Sequence, residues 1–505
     1  MKGQLKKGAI LSYLNIIISI GTGFISAPLL VKGMGTSEYG AYQMTAALIG
    51  YVSVLDFGLH SSVTRYVAKY QAKKEEKAQS NFLGVSLVLF SVIAVLILVI
   101  GFGLYKYVPT IYSRSASAEE IKTIQQLLIV LIINLAVSMP GAVFESIIIA
   151  YEKFVFTKFS ATIKMLLRFT AIILLGFWNY TAIVVVLIDF ILNIIITVIQ
   201  IFYCFVILHI KVGIHDCSFR YVKSIFTFSI FIFIAGITDQ INWKADTTIL
   251  GITLGTSAVT YYSVAGNLIS YYRNFSGAIS GIFLPKAVKM VSYGKSNREL
   301  TNLMIRVGRI QFMIIALILI GFTTLGKEFI ALWMGTKFTD AYSWFLIMAI
   351  PLVVPMTQSI GINIIEAKNM HQFRAVVYFF IALGNIVLTI LLVKKFGILG
   401  ASAGTGVTML IGNTFVINWY YSKKVGLEIG RFFREVYLKL AFPVILTLII
   451  SLFFNSYVGE AMGWLAFMIK CVGILILYCI IMYVFGLDEY EKYQIFQLKR
   501  KGKND

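Results

Sequence analysis

Charged side chains interrupt an apolar region of the chain between Thr238 and Arg273. The stretch reads TDQINWKADTTILGITLGTSAVTYYSVAGNLISYYR and contains Asp239, Lys244, Asp246 and Arg273. A charge left in the hydrocarbon core of a membrane costs at least about 2.5 kcal/mol, so such residues usually face a helix-bundle interior or a wet cavity. The pattern therefore predicts a polar cavity among buried helices, where cations can bind an anion and carboxylates can bind a proton or a cation.

The spacing of the polar residues in this stretch predicts which of them share a surface. Asp239, Asn242 and Asp246 follow i, i+3, i+7 spacing and so lie on one face of a helix. Gln240 and Lys244, spaced i, i+4, lie on a second face. The helix is therefore expected to be polar on two sides.

Two pairs of opposite charge lie at matched depths in the predicted helices. Asp239 and Arg273 are each about 24 Å from the tip of their helical hairpin, at about 1.5 Å per residue. Arg168 and Asp189 flank a predicted turn at Trp178–Asn179 at similar distances. Two interpretations remain open: groups that change partners during a working cycle, and static ion pairs that hold helices together.

An internal repeat relates the two halves of the chain. Placing Gly35 over Gly255 aligns GTSEYGAYQMTAALIGY with GTSAVTYYSVAGNLISY, so that Tyr42 matches Tyr262. Two halves of one duplicated unit are the simplest explanation, and secondary transporters are commonly built in this way.

The composition indicates an all-α protein that crosses the membrane many times. Of 505 residues, 59% are hydrophobic and 13% are charged, with a mean hydropathy of +0.84. A soluble domain could not bury so much apolar surface. The formal net charge of +21 does not indicate nucleic-acid binding, because the basic residues lie in short loops between apolar runs. The four cysteines show no disulfide or zinc spacing, and neither a metal nor a cofactor is expected.

Apolar runs and polar breaks predict fourteen crossings. They lie at roughly 9–31, 41–63, 81–105, 123–150, 160–178, 181–210, 224–252, 257–283, 303–325, 341–364, 374–393, 399–420, 438–455 and 462–486. Most loop Lys and Arg residues fall on the side of the N-terminus, which predicts that both termini are cytoplasmic. The repeat predicts one six-helix bundle at 1–220, a second at 221–437, and two further helices with a basic tail at 438–505.

Several motifs carry a resemblance to a known family. The run from Ala27 to Tyr70 contains YGAY, LDFGL and TRYVA, and ADTTILGITLGTSAVTYYSVAGNL and KKFGILGASAGTGV follow in the second half. Their order and spacing resemble the polysaccharide transporter family, the Wzx-type lipid-linked oligosaccharide flippases of the MATE-like superfamily. The resemblance covers nearly the whole chain.

This resemblance implies two six-helix bundles around a central cavity and two helices packed outside. The implied activity is transport, without catalysis, of an undecaprenyl-diphosphate-linked sugar repeat across the bacterial cytoplasmic membrane for O-antigen, capsule or related glycans. Membrane lipids surround the protein, and polymerase and glycosyltransferase partners are expected. Two alternatives remain: a cation-coupled drug or metabolite antiporter of the same fold, and a membrane glycan polymerase, which the short external loops disfavour.

On this interpretation the charges inside the spans have two roles. The expected substrate-binding cations are Arg168, Lys244 and Arg273, and the expected ion-coupling carboxylates are Asp189, Asp239 and Asp246. Three further candidates are Asp56, Glu145 and Asn242, and for the first two packing or helix capping is the stronger expectation. Lys470 is expected to extend to the interface or to contact lipid. His209, His215 and Cys217 fit no recognised metal spacing.

Overall fold

The chain is helical throughout the residues that the structure describes. The computed structural model describes residues 2–176, 180–214, 219–368, 370–459, 463–489 and 491–493, and within these ranges no β-strand occurs. Long apolar runs fold this way because in lipid every backbone amide must be hydrogen-bonded inside its own segment. The predicted all-α class is confirmed. The predicted turn at Trp178–Asn179, together with His215 and Cys217, lies outside the described residues.

Close packing divides the chain into two compact units. Unit 1 comprises Met1–Ser263 and Ala382–Ala401, and unit 2 comprises Val264–Ile381 and Ser402–Asp505. The predicted division at residues 220 and 437 follows the sequence repeat instead of the packing, and it stays a prediction.

Unit 1 is built mainly from the first seven helices. These are α1 (Lys2–Ser53), α2 (Leu59–Lys73), α3 (Glu76–Tyr112), α4 (Ala118–Ala150), α5 (Phe154–Leu175), α6 (Ala182–Phe202) and α7 (Phe219–Leu254), followed by the start of α8 (Thr256–Ser292). Helix α4 packs against α3, α6 and α1, and α5 packs against α1. The polar side chains of α4, α5 and α6 are thereby brought together inside this unit.

Unit 2 contains the rest of α8 and most of the later helices. These are α9 (Asn297–Trp333), α10 (Ala341–Thr357), α11 (Ser359–Ala367), α12 (His371–Phe396), α13 (Ile398–Met409), α14 (Ile417–Tyr420), α15 (Ile429–Phe433), α16 (Lys439–Val458) and α17 (Trp464–Ile481); parts of α12 and α13 belong to unit 1. Short π-helical turns link several of these helices, at Leu410–Val416, Tyr421–Val425 and Arg434–Leu438. Two apolar clusters form its core, one centred on α9 and Phe432 and the other between α9 and α17.

The aligned glycines of the repeat both have a positive φ. Gly35 interrupts α1 with φ 79°, and Gly255 separates α7 from α8 with φ 85°. Residues with a Cβ atom avoid this left-handed region, so glycine is the residue suited to both turns. Equivalent turns at aligned positions support the internal repeat.

The predicted crossing at 41–63 is broken near its C-terminal end. A 3₁₀ turn at Val54–Asp56 is followed by Phe57 with φ 51° and Gly58 with φ 66°, and α2 begins at Leu59. The break arises because two successive left-handed residues cannot continue an α-helix. Irregular backbone of this kind is tolerated in membranes where protein or water covers it.

Eight helical stretches of the described residues are long and apolar enough to cross a membrane. A ninth is obtained if α10 and α11, which meet at a bend of 45°, form one crossing. Helix α5 is more polar, since it carries Lys158, Lys164 and Arg168. The protein is therefore a polytopic membrane protein, and the count of fourteen stays a prediction.

The expectation for Lys470 is wrong. This residue is only 4% exposed, and its Nζ lies 3.0 and 3.1 Å from the two carboxylate oxygens of Glu328 and 2.8 Å from Asn455 Oδ1. It also donates to the carbonyl of Gly459. Because Glu328, Asn455 and Gly459 together supply its acceptors, the ammonium is buried in unit 2 and does not extend to the interface.

We expect Lys470→Ala to lower the stability of unit 2 strongly. Breaking a buried ion pair costs about 3–5 kcal/mol because one charge is left uncompensated, whereas replacing both partners by apolar residues is often neutral. The unfolding temperature measured in detergent should fall strongly for Lys470→Ala. It should recover in the double variant Lys470→Met with Glu328→Leu. Lys295→Ala, which breaks an exposed pair with Glu299, serves as the control. Equal unfolding temperatures for Lys470→Ala and the control would contradict the assignment.

Candidate polar site in unit 1

An ion pair joins α5 and α6 inside unit 1. The Nε atom of Arg168 donates to Asp189 Oδ1 at 2.6 Å, and the two side chains remain 31% and 24% exposed. The hydroxyl of Tyr42 is hydrogen-bonded to the same guanidinium. The structure thus brings together two residues that the sequence placed at equal depth, in a contact that leaves part of each side chain uncovered by protein.

A second polar contact lies one helical turn away. Lys164 and Asn193 are each four residues from the members of the ion pair, and Lys164 Nζ donates to Asn193 Oδ1 at 2.8 Å. The amide of Asn193 in turn donates to Asn134 Oδ1 at 2.9 Å and to Ser138 Oγ at 2.6 Å on α4. Glu145, on the same helix α4, interacts electrostatically with Lys164. Three helices therefore share one continuous polar surface.

Asp246 forms a separate buried site on α7. It is 3% exposed, and it accepts hydrogen bonds from the Tyr262 hydroxyl at 2.7 Å and the Thr389 hydroxyl at 2.9 Å. Thr389 also contacts Asn385 Oδ1 at 3.2 Å. Among the described residues no three His, Cys, Asp or Glu side chains come close enough to hold a metal ion. Ion binding at Asp246 would therefore depend on neutral oxygen ligands.

Asn242 lies one turn before Asp246 on the predicted polar face. Its side chain is 2% exposed, and its Oδ1 atom has no hydrogen-bond partner in the structure. A buried acceptor without a donor costs about 1–3 kcal/mol. Such an atom is able to bind a donor or a cation that enters the site.

Lys244, on the other polar face of α7, is half-buried where α7 meets α1. A Cβ atom added to Gly50 would lie 3.6 Å from Lys244 Cγ and 2.7 Å from Gln240 Oε1, so glycine permits this close approach. The Tyr51 hydroxyl contacts Thr248 Oγ1 at 3.2 Å beside it. The carbon stem of Lys244 is thus packed against α1.

Three further predicted residues, Asp239, Arg273 and Asp56, have different surroundings. Asp239 is exposed at the surface of unit 1, and Arg273 is half-buried in unit 2. Their predicted pairing would join the two units and stays a prediction. Asp56 lies in the 3₁₀ turn, where its Oδ1 atom is buried without a hydrogen-bond partner. The expectation that Asp56 serves packing or capping stays a prediction.

Sequence reasoning missed several residues of these sites. Lys164 was not among the predicted site residues, although its i, i+4 spacing to Arg168 places both on one face of α5. The tyrosines could have been found from the repeat, since the aligned Tyr42 and Tyr262 each contact a charged residue inside a helix bundle. No sequence signal marked Thr389 as a neighbour of Asp246, because α12 is distant in the chain.

Comparison with known sequences identifies related membrane proteins. The chain is 22% identical over 399 residues to a putative O-antigen transporter of Shigella flexneri, covering 78% of this chain and 92% of that protein. It is also 22% identical over 432 residues to the uncharacterized membrane protein EpsK of Bacillus subtilis, covering 84% and 83%. A probable low-salt glycan biosynthesis flippase, Agl15 of Haloferax volcanii, is 22% identical over 211 residues, covering 42% and 44%.

Solved structures show the same fold. The lipid II flippase MurJ in an inward closed conformation matches with a TM-score of 0.76 at 17% identity, covering 95% of this chain and 98% of that chain. A multidrug resistance transporter of the MATE family in an inward-facing conformation matches with a TM-score of 0.66 at 13% identity, covering 81% and 97%. At these identities the likeness shows a shared fold.

The sequence profile for polysaccharide biosynthesis proteins matches residues 5–290, which is more than half of the chain. This match includes the YGAY, LDFGL and TRYVA motifs and the α7–α8 motif. It confirms the resemblance that these motifs predicted. The chain therefore belongs to the polysaccharide biosynthesis protein family.

Proposed function

We propose that this protein flips undecaprenyl-diphosphate-linked oligosaccharide repeat units across the cytoplasmic membrane for surface polysaccharide biosynthesis. The main support is the polar surface on α4, α5 and α6 inside a membrane protein. There Arg168 contacts Asp189 and Lys164 contacts Asn193, partners that a substrate anion could replace. Family membership and the names of the relatives, an O-antigen transporter and a glycan flippase, support the same substrate class. The protein is proposed to act as a transporter and not as an enzyme.

The cations are proposed to bind the diphosphate of the lipid carrier. A guanidinium and a carboxylate or phosphate form similar charge-assisted hydrogen bonds, so a diphosphate can replace Asp189 at Arg168. Lys164 is released from a neutral amide oxygen, which is a weaker partner than a phosphate oxygen. Lys244 and Arg273 are proposed to contribute to the same anion binding during the cycle. Each cation therefore has a partner at every step, either a protein group or the diphosphate.

Asp246 is proposed to couple transport to a proton or a cation. Its two oxygens accept from hydroxyl groups, and a hydroxyl can rotate to donate to a carboxylate or to accept from a carboxyl proton. The orphan Oδ1 atom of Asn242, one turn away, supplies a further neutral ligand. Asp189 and Asp239 are proposed as additional carboxylates of the cycle.

The finer architecture belongs to the same proposal. We expect fourteen crossings from the apolar runs, and two six-helix bundles that alternate in access, with two appended helices, from the repeat. The charge bias predicts cytoplasmic termini. The sugar headgroup crosses in the polar interior while the isoprenoid tail stays in lipid. Glycosyltransferase partners are proposed to build the repeat unit before this step, and a polymerase to join the units after it. An antiporter of the same fold remains the alternative, since the fold is shared with a multidrug transporter.

Reconstituted protein should move a polyprenyl-diphosphate oligosaccharide between leaflets. The purified chain is placed in vesicles that contain a fluorescent polyprenyl-diphosphate oligosaccharide, and its appearance in the outer leaflet is followed with an externally added lectin. Empty vesicles are the control. The cationic surface predicts that this anionic substrate is transported and that ethidium, an organic cation, is not. Transport of ethidium without movement of the oligosaccharide would favour the antiporter.

Arg168→Ala should reduce glycan export roughly 10- to 100-fold, the effect of losing a charge-assisted hydrogen bond of about 1.5–3 kcal/mol. Export is measured as surface glycan in cells that lack their own flippase, at equal protein level. Arg434→Ala, which removes an exposed cation, is the control.

The double variant Arg168→Ala with Asp189→Asn separates the two interpretations of this pair. It removes the stranded carboxylate, so folding recovers, while the diphosphate still lacks its guanidinium. Continued loss of export supports a working role of the pair, in binding the diphosphate or in coupling, and full recovery of export would show that the pair is a static contact between α5 and α6.

Asp246→Asn should uncouple transport from the ion gradient. Asparagine has the size of aspartate and keeps one oxygen acceptor, so we expect normal protein level in the membrane. Transport into vesicles is measured with and without an imposed proton or sodium gradient. The unsubstituted protein should respond to one of these gradients and the variant to neither, and an unchanged response in the variant would remove Asp246 from the coupling step.

A further inference from the structure

Glu120 lies in the first turn of α4 and caps that helix. Its Oε2 atom accepts from the backbone N–H of Ser117 at 2.7 Å, and its own N–H donates to Ser117 Oγ at 3.3 Å. This reciprocal pair is a capping box, a local device that satisfies free amides at a helix start. It uses only one of the two carboxylate oxygens.

The second carboxylate oxygen binds two turns that are remote in sequence. The hydroxyls of Ser37 and Thr256 both donate to Glu120 Oε1, and they lie 3.3 Å from each other. Ser37 follows the kink at Gly35 in α1, and Thr256 is the first residue of α8, directly after Gly255. One carboxylate therefore connects α4 to both copies of the Gly-Thr-Ser repeat.

Further contacts hold the same three segments together. Thr260 donates through its hydroxyl to the carbonyl of Thr36, and the hydroxyl of Ser115, just before α4, donates to the carbonyl of Gly251 at 2.7 Å. A Cβ atom at Gly40 would overlap the carbonyl oxygen of Thr256. The two repeated turns are thus in direct backbone contact within unit 1, without a gap at the point where Glu120 joins them.

A polar cavity of about 590 Å³ lies beside this contact. Its lining includes Ser37, Glu38, Glu119, Glu120 and Thr123, and Ala41, fully buried, forms part of its wall. Water in such a cavity can replace the hydroxyls of Ser37 and Thr256 on the carboxylate. The contact can therefore break at a small net cost, because each hydrogen bond is exchanged for one to water.

We propose that Glu120 is a latch that holds this end of unit 1 closed by binding Ser37 and Thr256 together, and that the latch must release for the end to open. The inference rests on the proposed function, since a transporter that opens to each side in turn requires both ends to open. Glu120 acts here as a positioning residue: it does not contact the transported lipid, and it sets the relative position of α1, α4 and α8 within unit 1.

The test measures how fast a buried cysteine becomes reactive. The four native cysteines of the full chain are first replaced, and Ala41→Cys is then introduced as the single thiol. The rate at which a membrane-permeant maleimide modifies this thiol is measured in membranes. Ser37→Ala, Thr256→Val and Glu120→Gln should each speed modification roughly tenfold, the effect of losing a hydrogen bond to a charged group. Thr256→Ser, which keeps the hydroxyl, should react at the parent rate.

Glu299→Gln is the matched control, because Glu299 forms the same capping box with Ser296 at the start of α9. The latch is overturned if Ser37→Ala and Thr256→Val react at the parent rate, or if Glu299→Gln accelerates modification as much as Glu120→Gln. The measurement needs no glycan substrate. Failure of the latch is thereby separable from failure of the proposed transport function.

Discussion

A charge without a partner is costly in the low polarity of the membrane interior, and two ion pairs of this protein meet that constraint in different ways. Lys470 and Glu328 are 5% and 9% exposed and fully surrounded by protein, so their partners cannot change without unfolding the local structure. Arg168 and Asp189 keep 31% and 24% of their surfaces uncovered. The second pair is therefore the one that we propose exchanges Asp189 for a diphosphate.

Hydroxyl groups play a complementary part in the structure. Asp246 accepts hydrogen bonds from Tyr262 on the next helix and from Thr389 on the distant helix α12, and Glu120 accepts from Ser37 and Thr256, both distant in sequence. A hydroxyl donates or accepts by rotating about one bond, so it adapts to a change of charge without movement of the helix that carries it. Carboxylates held by hydroxyls therefore suit steps in which charge or partners change, whereas the buried pair of Lys470 and Glu328 fixes the position of its helices.

How far the sequence predicts this protein depends on the range of the interaction. The repeat aligned Gly35 with Gly255, and both form turns with positive φ. Such a match is visible in the sequence because glycine alone adopts positive φ at little cost. Equal depth predicted that Arg168 and Asp189 lie at one level, since helical rise is constant. The burial of Lys470 and the contact of Thr389 with Asp246 were not predictable, because both depend on which helices pack together. Lys164 was overlooked although its spacing to Arg168 was visible, since its position near a loop suggested a solvated role.

The buried partner of Lys470 has a consequence for how the C-terminal part of this chain evolved. Glu328 is on α9, whereas the ammonium that pairs with it, that of Lys470, is on α17 and is held in place by Asn455 Oδ1 on α16 and the carbonyl of Gly459. Removal of the last helices, by truncation or by gene loss, would leave a naked carboxylate against lipid. Relatives without these helices are therefore expected to carry a neutral side chain at the place of Glu328.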